Sequence, residues 1–181
     1  MNGGTDGKGL TLWFTGLPRA GKSTVAGIVA GRLRTAGVSR IEILDGDEVR
    51  EGLCRDLGFS RSDREENIHR ITFVSKLLTR NGVVSIVAAI SPYRESRERA
   101  REEIQSFLEI WCSASVEACA ARDYKGLYEK AMRGELKNLT GVNDPYEAPE
   151  DADLVLDTVS ETAEQSADRV MALLRERGYI Q

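Results

Sequence analysis

The eight residues from Gly16 to Ser23, GLPRAGKS, set two glycines five positions apart and follow them with an ammonium and a hydroxyl. The spacing G-x-x-x-x-G-K-[ST] builds a phosphate cradle. Glycine lets the backbone curl so that successive N–H groups point into a concavity, and a helix N-terminus behind it adds partial positive charge. Lys22 can reach the β- and γ-phosphates of a nucleoside triphosphate, and the Ser23 hydroxyl can ligate Mg²⁺. The same residues could form a plain glycine turn that caps a helix. The apolar run directly before them and the helical pattern directly after them decide for the cradle. Inside it, Pro18 stiffens the loop and removes one N–H. Arg19 adds charge beside the phosphates or toward solvent.

A second stretch, ILDGDEVR at Ile43–Arg50, carries the carboxylates Asp45 and Asp47. In an open parallel sheet, ligands sit beyond the C-terminal strand ends, which puts this pair on the rim of the cradle. A carboxylate there can take the proton of an attacking hydroxyl or hold Mg²⁺ through water. The third apolar run ends AAIS, without the acidic residue many such proteins use for the metal, and no guanine-reading N-K-x-D is present, which excludes a GTPase. Further along the rim, Phe59 offers a flat apolar face, Arg64 a bidentate anion contact, and Asn67 lies one turn on. Ser91 and Arg94 follow the third run. The segment Ala121–Gly141 carries Arg122, Lys125, Lys130, Arg133 and Lys137 against three acids, the composition of a lid that closes over phosphates and excludes water. The run Arg97, Glu98, Arg99, Arg101, Glu102 reads as a solvated helix face.

Five short apolar runs must position these groups: Leu10–Thr15, Ile41–Leu44, Val83–Ile90, Phe107–Trp111 and Ala152–Asp157. Each is bounded by Gly, Pro, Asp or Ser, as strands are. Helical patterns separate them. Val25, Ile28, Val29 and Leu33 share one face of the first, with Gly37 as its stop. The second opens on a cap at Ser62, turns Ile68, Ile71, Val74, Leu77 and Leu78 inward, and ends at Asn81-Gly82. A third closes the chain. Strand–helix alternation predicts an α/β fold of three layers, a five-stranded parallel sheet with helices on both faces. One domain over 10–181 follows, with a lid at about 122–147 and a Gly-rich flexible lead-in at 1–9. The net charge of −4 argues against a nucleic-acid binder, and no apolar run is long enough to span a bilayer. Cys54, Cys112 and Cys119 have no metal or redox spacing and read as small core or surface residues of a reduced, cytoplasmic protein. His69 reads as a surface residue.

Taken together, GLPRAGKST, ILDGDEVR, LGFSRSDREENIHR, ISPYR and RDYKGLYEKAMRGELKNLTGVNDPYEAP resemble the adenylyl-sulfate kinase (APS kinase) family of P-loop kinases, from about Leu10 to the last helix. The resemblance implies transfer of the ATP γ-phosphoryl to the 3′-hydroxyl of adenosine 5′-phosphosulfate (APS), giving PAPS and ADP, by a cytoplasmic homodimer serving sulfate assimilation. It implies that Gly16, Leu17, Pro18, Arg19, Ala20, Gly21, Lys22, Ser23 and Thr24 hold ATP, with Arg122 near its adenine. Asp47 would orient or deprotonate the acceptor hydroxyl, while Ser23 and Asp45 serve the metal. Arg50, Arg64, Asn67 and the backbone at Ile90 would hold the phosphosulfate and ribose. Phe59 would stack on the APS adenine, and Lys125, Gly126 and Leu127 would line its pocket. Ser91 matches a serine associated with a phosphoserine intermediate. No activating base adjoins it in sequence, so a hydrogen-bonding role is the preferred reading. Three positions depart from the family: LPRA replaces LSGA in the cradle, Tyr124 stands where Pro commonly precedes Lys, and Leu139 replaces a Phe that pairs with the counterpart of Phe59 over the adenine. Leu139 suggests a weaker hold on APS. It motivates an alternative, a kinase of the same fold acting on another nucleotide or a phosphorylated metabolite. A nucleotide-binding module without catalysis is disfavoured by the intact Lys22, Ser23 and Asp47.

Overall fold

Five parallel strands form one sheet, in the order β2-β3-β1-β4-β5, in the computed structural model, which describes residues 8–181. The strands are β1 (Leu10–Thr15), β2 (Ile41–Asp45), β3 (Val84–Ala88), β4 (Phe107–Ser113) and β5 (Leu154–Asp157). β1 lies centrally, in register with β3 on one side and β4 on the other. Its alternate side chains divide the core. Leu10, Leu12 and Phe14 pack with helices α1 (Lys22–Thr35) and α7 (Ala163–Glu176), whereas Trp13 packs with α3 (Arg61–Arg80) and α4 (Arg94–Glu103). Two buried faces on one strand require helices above and below the sheet, and the three layers follow. Thr11, on the Trp13 face, satisfies its hydroxyl against that of Thr79 at 2.7 Å.

Of the expected lead-in, residues 1–7 lie outside the described residues. Gly9 is already packed: a Cβ there would fall 1.8 Å from the carbonyl oxygen of Thr79. Ordered contact with α3 therefore begins before β1. The α3 cap is Ser60 rather than Ser62, and its Oγ accepts the Asp63 N–H at 3.2 Å. Val74, Leu77 and Leu78 are only half-buried, because the inward stripe of α3 continues through Thr72, Ser75 and Thr79. Those hydroxyls are satisfied inside the core, Thr72 donating to the Ile68 carbonyl and Ser85 to Ser75. β3 stops at Ala88, short of Ile90, where the chain turns to supply the site. β5 begins at Leu154 because the Asp153 carboxylate is taken by the Glu109 N–H and by Arg101.

The remaining elements sit at the C-terminal rim. Asp45 caps the short helix α2 (Gly46–Glu51) by accepting the Asp47 N–H at 2.9 Å. After β4 comes α5 (Val116–Ala121), and α6 (Leu127–Met132) lies in the stretch expected to form the lid.

Candidate active site

β1 and β3 end side by side, and the chain leaves them in opposite directions across the sheet, toward β2 and toward β4. A cleft of about 870 Å³ opens above this point, where strand order reverses. Gly21, Lys22, Ser23 and Thr24 wall one side. Gly16, Leu17 and Ala20 form the base of the turn, with Leu17 and Ala20 buried in the core. Gly16 has φ 149°, and a Cβ on it would lie 2.6 Å from the Cys112 carbonyl oxygen, so the first cradle position admits glycine alone. Gly21 caps α1 in the left-handed region at φ 93°. Thr158, just past β5, braces the turn by donating to the Ala20 carbonyl at 2.8 Å.

Lys22 is 8% exposed, and its ammonium donates to the carbonyls of Gly16 at 3.0 Å and Leu17 at 2.8 Å. Burial pulls its pKa below the ordinary value, while the charges of Asp45 and Asp47 work the other way. An ammonium so placed gains from any anion that enters the cleft. Ser23 Oγ donates to Asp45 Oδ2 at 2.5 Å, which joins the cradle to the acidic turn. The Asp47 carboxylate is exposed to the cleft and makes no side-chain hydrogen bond among the described residues. Lys22 and Asp47 thus share one cavity, on the same edge of the sheet.

At the far end, two cations flank an exposed ring. The Arg50 guanidinium lies 4.7 Å and that of Arg64 5.6 Å from the centroid of Phe59, which is 57% exposed. Arg50 donates to the carbonyls of Leu57 and Gly58, at 3.3 and 2.5 Å. Burial and the charge of Arg64 depress its pKa, the signature of a site that wants an anion. Arg64 is 6% exposed and already engaged, donating to the carbonyls of Phe59 at 3.1 Å and Asn138 at 2.5 Å and pairing with Asp144 at 3.3 Å. Asn67 is buried in a wall of the cleft, and its Oδ1 lacks a partner among the described residues. An orphaned buried oxygen there calls for a donor from a ligand.

Other expected residues fall into place unevenly. Ile90 lines the cleft, but its carbonyl already accepts the Thr15 hydroxyl at 2.7 Å. Ser91 is 1% exposed at φ 46°, and its Oγ accepts the Trp13 Nε1–H at 2.9 Å. Arg122, Lys125 and Leu127 line the lid side, with Arg122 held by the Thr158 carbonyl at 2.5 Å. Gly126, at φ 68°, opens α6 behind them and is not part of the wall. Leu139 does not reach the cleft. It is 8% exposed and packs into the core beside the α1 face.

Arg97 corrects the reading of its run as a solvated face. It is 2% exposed, pairs with Glu109 at 2.7 Å, and donates to the carbonyls of Ser91 at 2.6 Å and Glu147 at 2.7 Å. It fixes the backbone that carries Ser91. The charge-rich sequence hides this, because periodicity cannot separate a buried arginine from exposed ones on the same helix. The Arg94 N–H, donated to the Glu147 carboxylate at 2.7 Å, ties the same strap, the segment before β5 that carries Glu147.

A parallel sheet of this order, with a glycine-rich turn, Lys and Ser between its central strand and first helix, defines a P-loop phosphotransferase. The profile of the adenylylsulphate kinase family matches residues 8–157. Similar chains include an adenylyl-sulfate kinase of Picosynechococcus sp., 54% identical over 96% of this chain and 97% of that one. Another, from Halothermothrix orenii, is 52% identical over 96% and 93%. Among solved structures, the Mycobacterium tuberculosis APS kinase CysC in complex with AMPPNP and APS superposes with a TM-score of 0.87 at 42% identity, covering 93% of this chain and 98% of that one. Shikimate kinase from Aquifex aeolicus, at 15% identity and TM-score 0.58, shares the fold alone. The chain belongs to the adenylyl-sulfate kinase family.

Proposed function

We infer that this cleft moves the γ-phosphoryl of ATP to the 3′-hydroxyl of adenosine 5′-phosphosulfate. The observation that carries the reading is the junction of cradle and acidic turn, Ser23 on Asp45 at 2.5 Å, with Lys22 and Asp47 facing one cavity. The cradle amides and Lys22 neutralise the charge of the transferring group. Asp47 takes the 3′-hydroxyl proton as the new O–P bond forms and the bond from the γ-phosphorus to ADP breaks. Arg50 and Arg64 meet the phosphosulfate, Phe59 the adenine, and Asn67 Oδ1 a donor of the acceptor nucleotide.

Mg²⁺ would neutralise phosphate charge when bound. The Ser23 hydroxyl and Asp45 fit it, since Mg²⁺ takes one or two protein oxygens and completes its shell with phosphates and water. The described residues contain no group of three His, Cys, Asp or Glu side chains, and such a site needs none. Ser91 acts by hydrogen bonding: its oxygen already accepts from Trp13, and among the described residues no carboxylate or imidazole is bonded to it. A homodimer is the expected assembly. Leu53 and Phe73 are about half exposed, apolar side chains that a partner copy could cover. Three buried free cysteines suit the reducing cytoplasm.

The test is formation of 3′-phosphorylated product from ATP and APS, followed directly rather than through ADP release. Turnover with APS and none with adenosine 5′-monophosphate or a panel of sugar phosphates is the expected outcome. Turnover with another acceptor and none with APS would overturn the assignment.

A further inference from the structure

Two residues that depart from the family pattern, Arg19 in the cradle and Tyr124 beside the lid, meet in space. The Arg19 guanidinium carbon lies 4.3 Å from the centroid of the Tyr124 ring, and its Nε lies 3.5 Å from Oδ1 of Asp123. The Asp123 side chain is only 2% exposed. Its Oδ1 also accepts the Lys125 N–H at 3.2 Å and its Oδ2 the Tyr128 N–H at 2.8 Å, so it is fixed to the first turn of α6. From the same turn, the Tyr128 hydroxyl donates to the Pro18 carbonyl at 2.7 Å. The lid is therefore fastened to two adjacent cradle residues.

Arg19 makes these contacts at φ 66°, a left-handed conformation that favours glycine. Its side-chain contacts offset that strain. The guanidinium has one face on a ring and one edge on a carboxylate, so it cannot turn to a phosphate without releasing both. Tyr124 is 80% exposed, and the arginine is the stacking partner that holds its ring.

We propose that Arg19, Tyr124 and Asp123 form a latch that holds the first turn of the lid against the phosphate cradle before nucleotide arrives. Arg19 is then a positioning residue for ATP rather than a phosphate ligand. A lid already held in place reduces the ordering that nucleotide binding must supply. The consequence for ATP rests on the kinase reading above; the latch itself does not.

The test uses hydrogen exchange on the nucleotide-free chain, read at the amides of Tyr128 and Lys130, in the parent protein, Arg19→Gly, Tyr124→Ala and the double variant. The Tyr128–Pro18 bond survives in all of them, so the lid stays folded. Arg19→Gly, which loses both the cation–π contact and the ion pair, speeds exchange by about three- to tenfold, and Tyr124→Ala, which loses the cation–π contact alone, by about two- to fivefold. The double variant exchanges no faster than Arg19→Gly, because the contact that Tyr124 makes is already lost with the arginine. Arg19→Lys, which keeps the charge and loses the flat stack, falls between. The KM for ATP rises in step with exchange in each single while kcat stays within about twofold. Unchanged exchange in both singles, or a double variant whose acceleration is the product of the two, overturns the latch. So does a rise in KM without faster exchange, which would make Arg19 a direct ligand. Coupled exchange in a chain that does not turn over APS would leave the latch standing and remove the kinase reading.

Discussion

The cradle and the acceptor end of the cleft are built by different means. From Gly16 to Thr24 the cradle is one continuous stretch, closed at its base by short backbone contacts and buried against the core through Leu17 and Ala20. Its shape is finished before any ligand enters. The acceptor end draws Arg50, Phe59, Arg64 and Asn67 from two helices and the loop between them, and presents two cations beside a ring that is 57% exposed. Burial and the neighbouring charge of Arg64 hold the Arg50 pKa below its ordinary value, a deficit that an incoming anion would relieve. The contrast teaches where each half spends its binding: the cradle is preorganised for charge that develops during transfer, while the acceptor end is tuned to ground-state charge on a substrate.

The sharpest way to break that contrast is Lys22→Ala. Its ammonium is a designed part of the cradle, so kcat should fall by about 10²- to 10³-fold at saturating ATP and APS, comparable to losing one preorganised donor. Steady-state rates on a variant with unchanged circular dichroism decide it. A loss below tenfold would mean that the cradle amides suffice and that the preorganised charge lies elsewhere.

The next largest effect belongs to Arg50→Ala, which should raise the KM for APS by about tenfold, equivalent to about 1.4 kcal/mol, with the KM for ATP within about twofold. Arg50 is the cleaner probe of this end. Arg64 also braces Phe59, Asn138 and Asp144, so its removal leaves a partly buried carboxylate and two carbonyls without their donor. Equal increases for both substrates with Arg50→Ala would erase the division between the two ends.

How legible each half was follows the same contrast. Contiguous chemistry is readable: GLPRAGKS and DGD sit next to the strands that carry them, and the alternation of apolar runs with helical patterns dictates a layered parallel sheet. What depends on contacts between distant segments is not. Arg97 looked like its neighbours on α4 until β4 supplied Glu109 and the strap supplied Glu147. Leu139 looked like a substrate contact by position, yet an aliphatic side chain is as well satisfied in the core, and the structure buries it there. The serine cap of α3 was misplaced by two residues because Ser60 and Ser62 are chemically alike, and only the bond to the Asp63 N–H separates them.

The smallest expected effect tests whether the cradle is tied to the core, and it is read from stability rather than turnover. The strand end beneath Gly16 carries Cys112, whose thiol burial pushes from 9.0 to about 12. A raised folded-state pKa means that the folded protein keeps a proton the unfolded chain releases, so the unfolded state binds fewer protons and stability falls as pH rises from about 9 toward 12. Burial pushes Tyr146 the same way, from 10.0 to about 12, and it raises Cys54 and Cys119 too. Lys22 works in the opposite sense: burial lowers its pKa below 10.5, so its penalty eases as pH rises through that window. Between pH 9 and 10 the thiols titrate in the unfolded chain ahead of tyrosine, and Lys22 acts in the opposite sense, so the share of Cys112 is read as the difference between Cys112→Ala and the parent. Urea midpoints at pH 8 and pH 9.7 should therefore show a smaller alkaline loss in Cys112→Ala than in the parent, with the slope reduced but not abolished because two cysteines remain. Alanine fits at this buried site at the cost of a small cavity, about 1 kcal/mol at every pH, which shifts both midpoints together and leaves the difference between them as the readout. An undiminished alkaline loss would show that the Cys112 thiol is not sealed in the core, and the cradle above it would then lack the rigid floor that distinguishes it from the acceptor end.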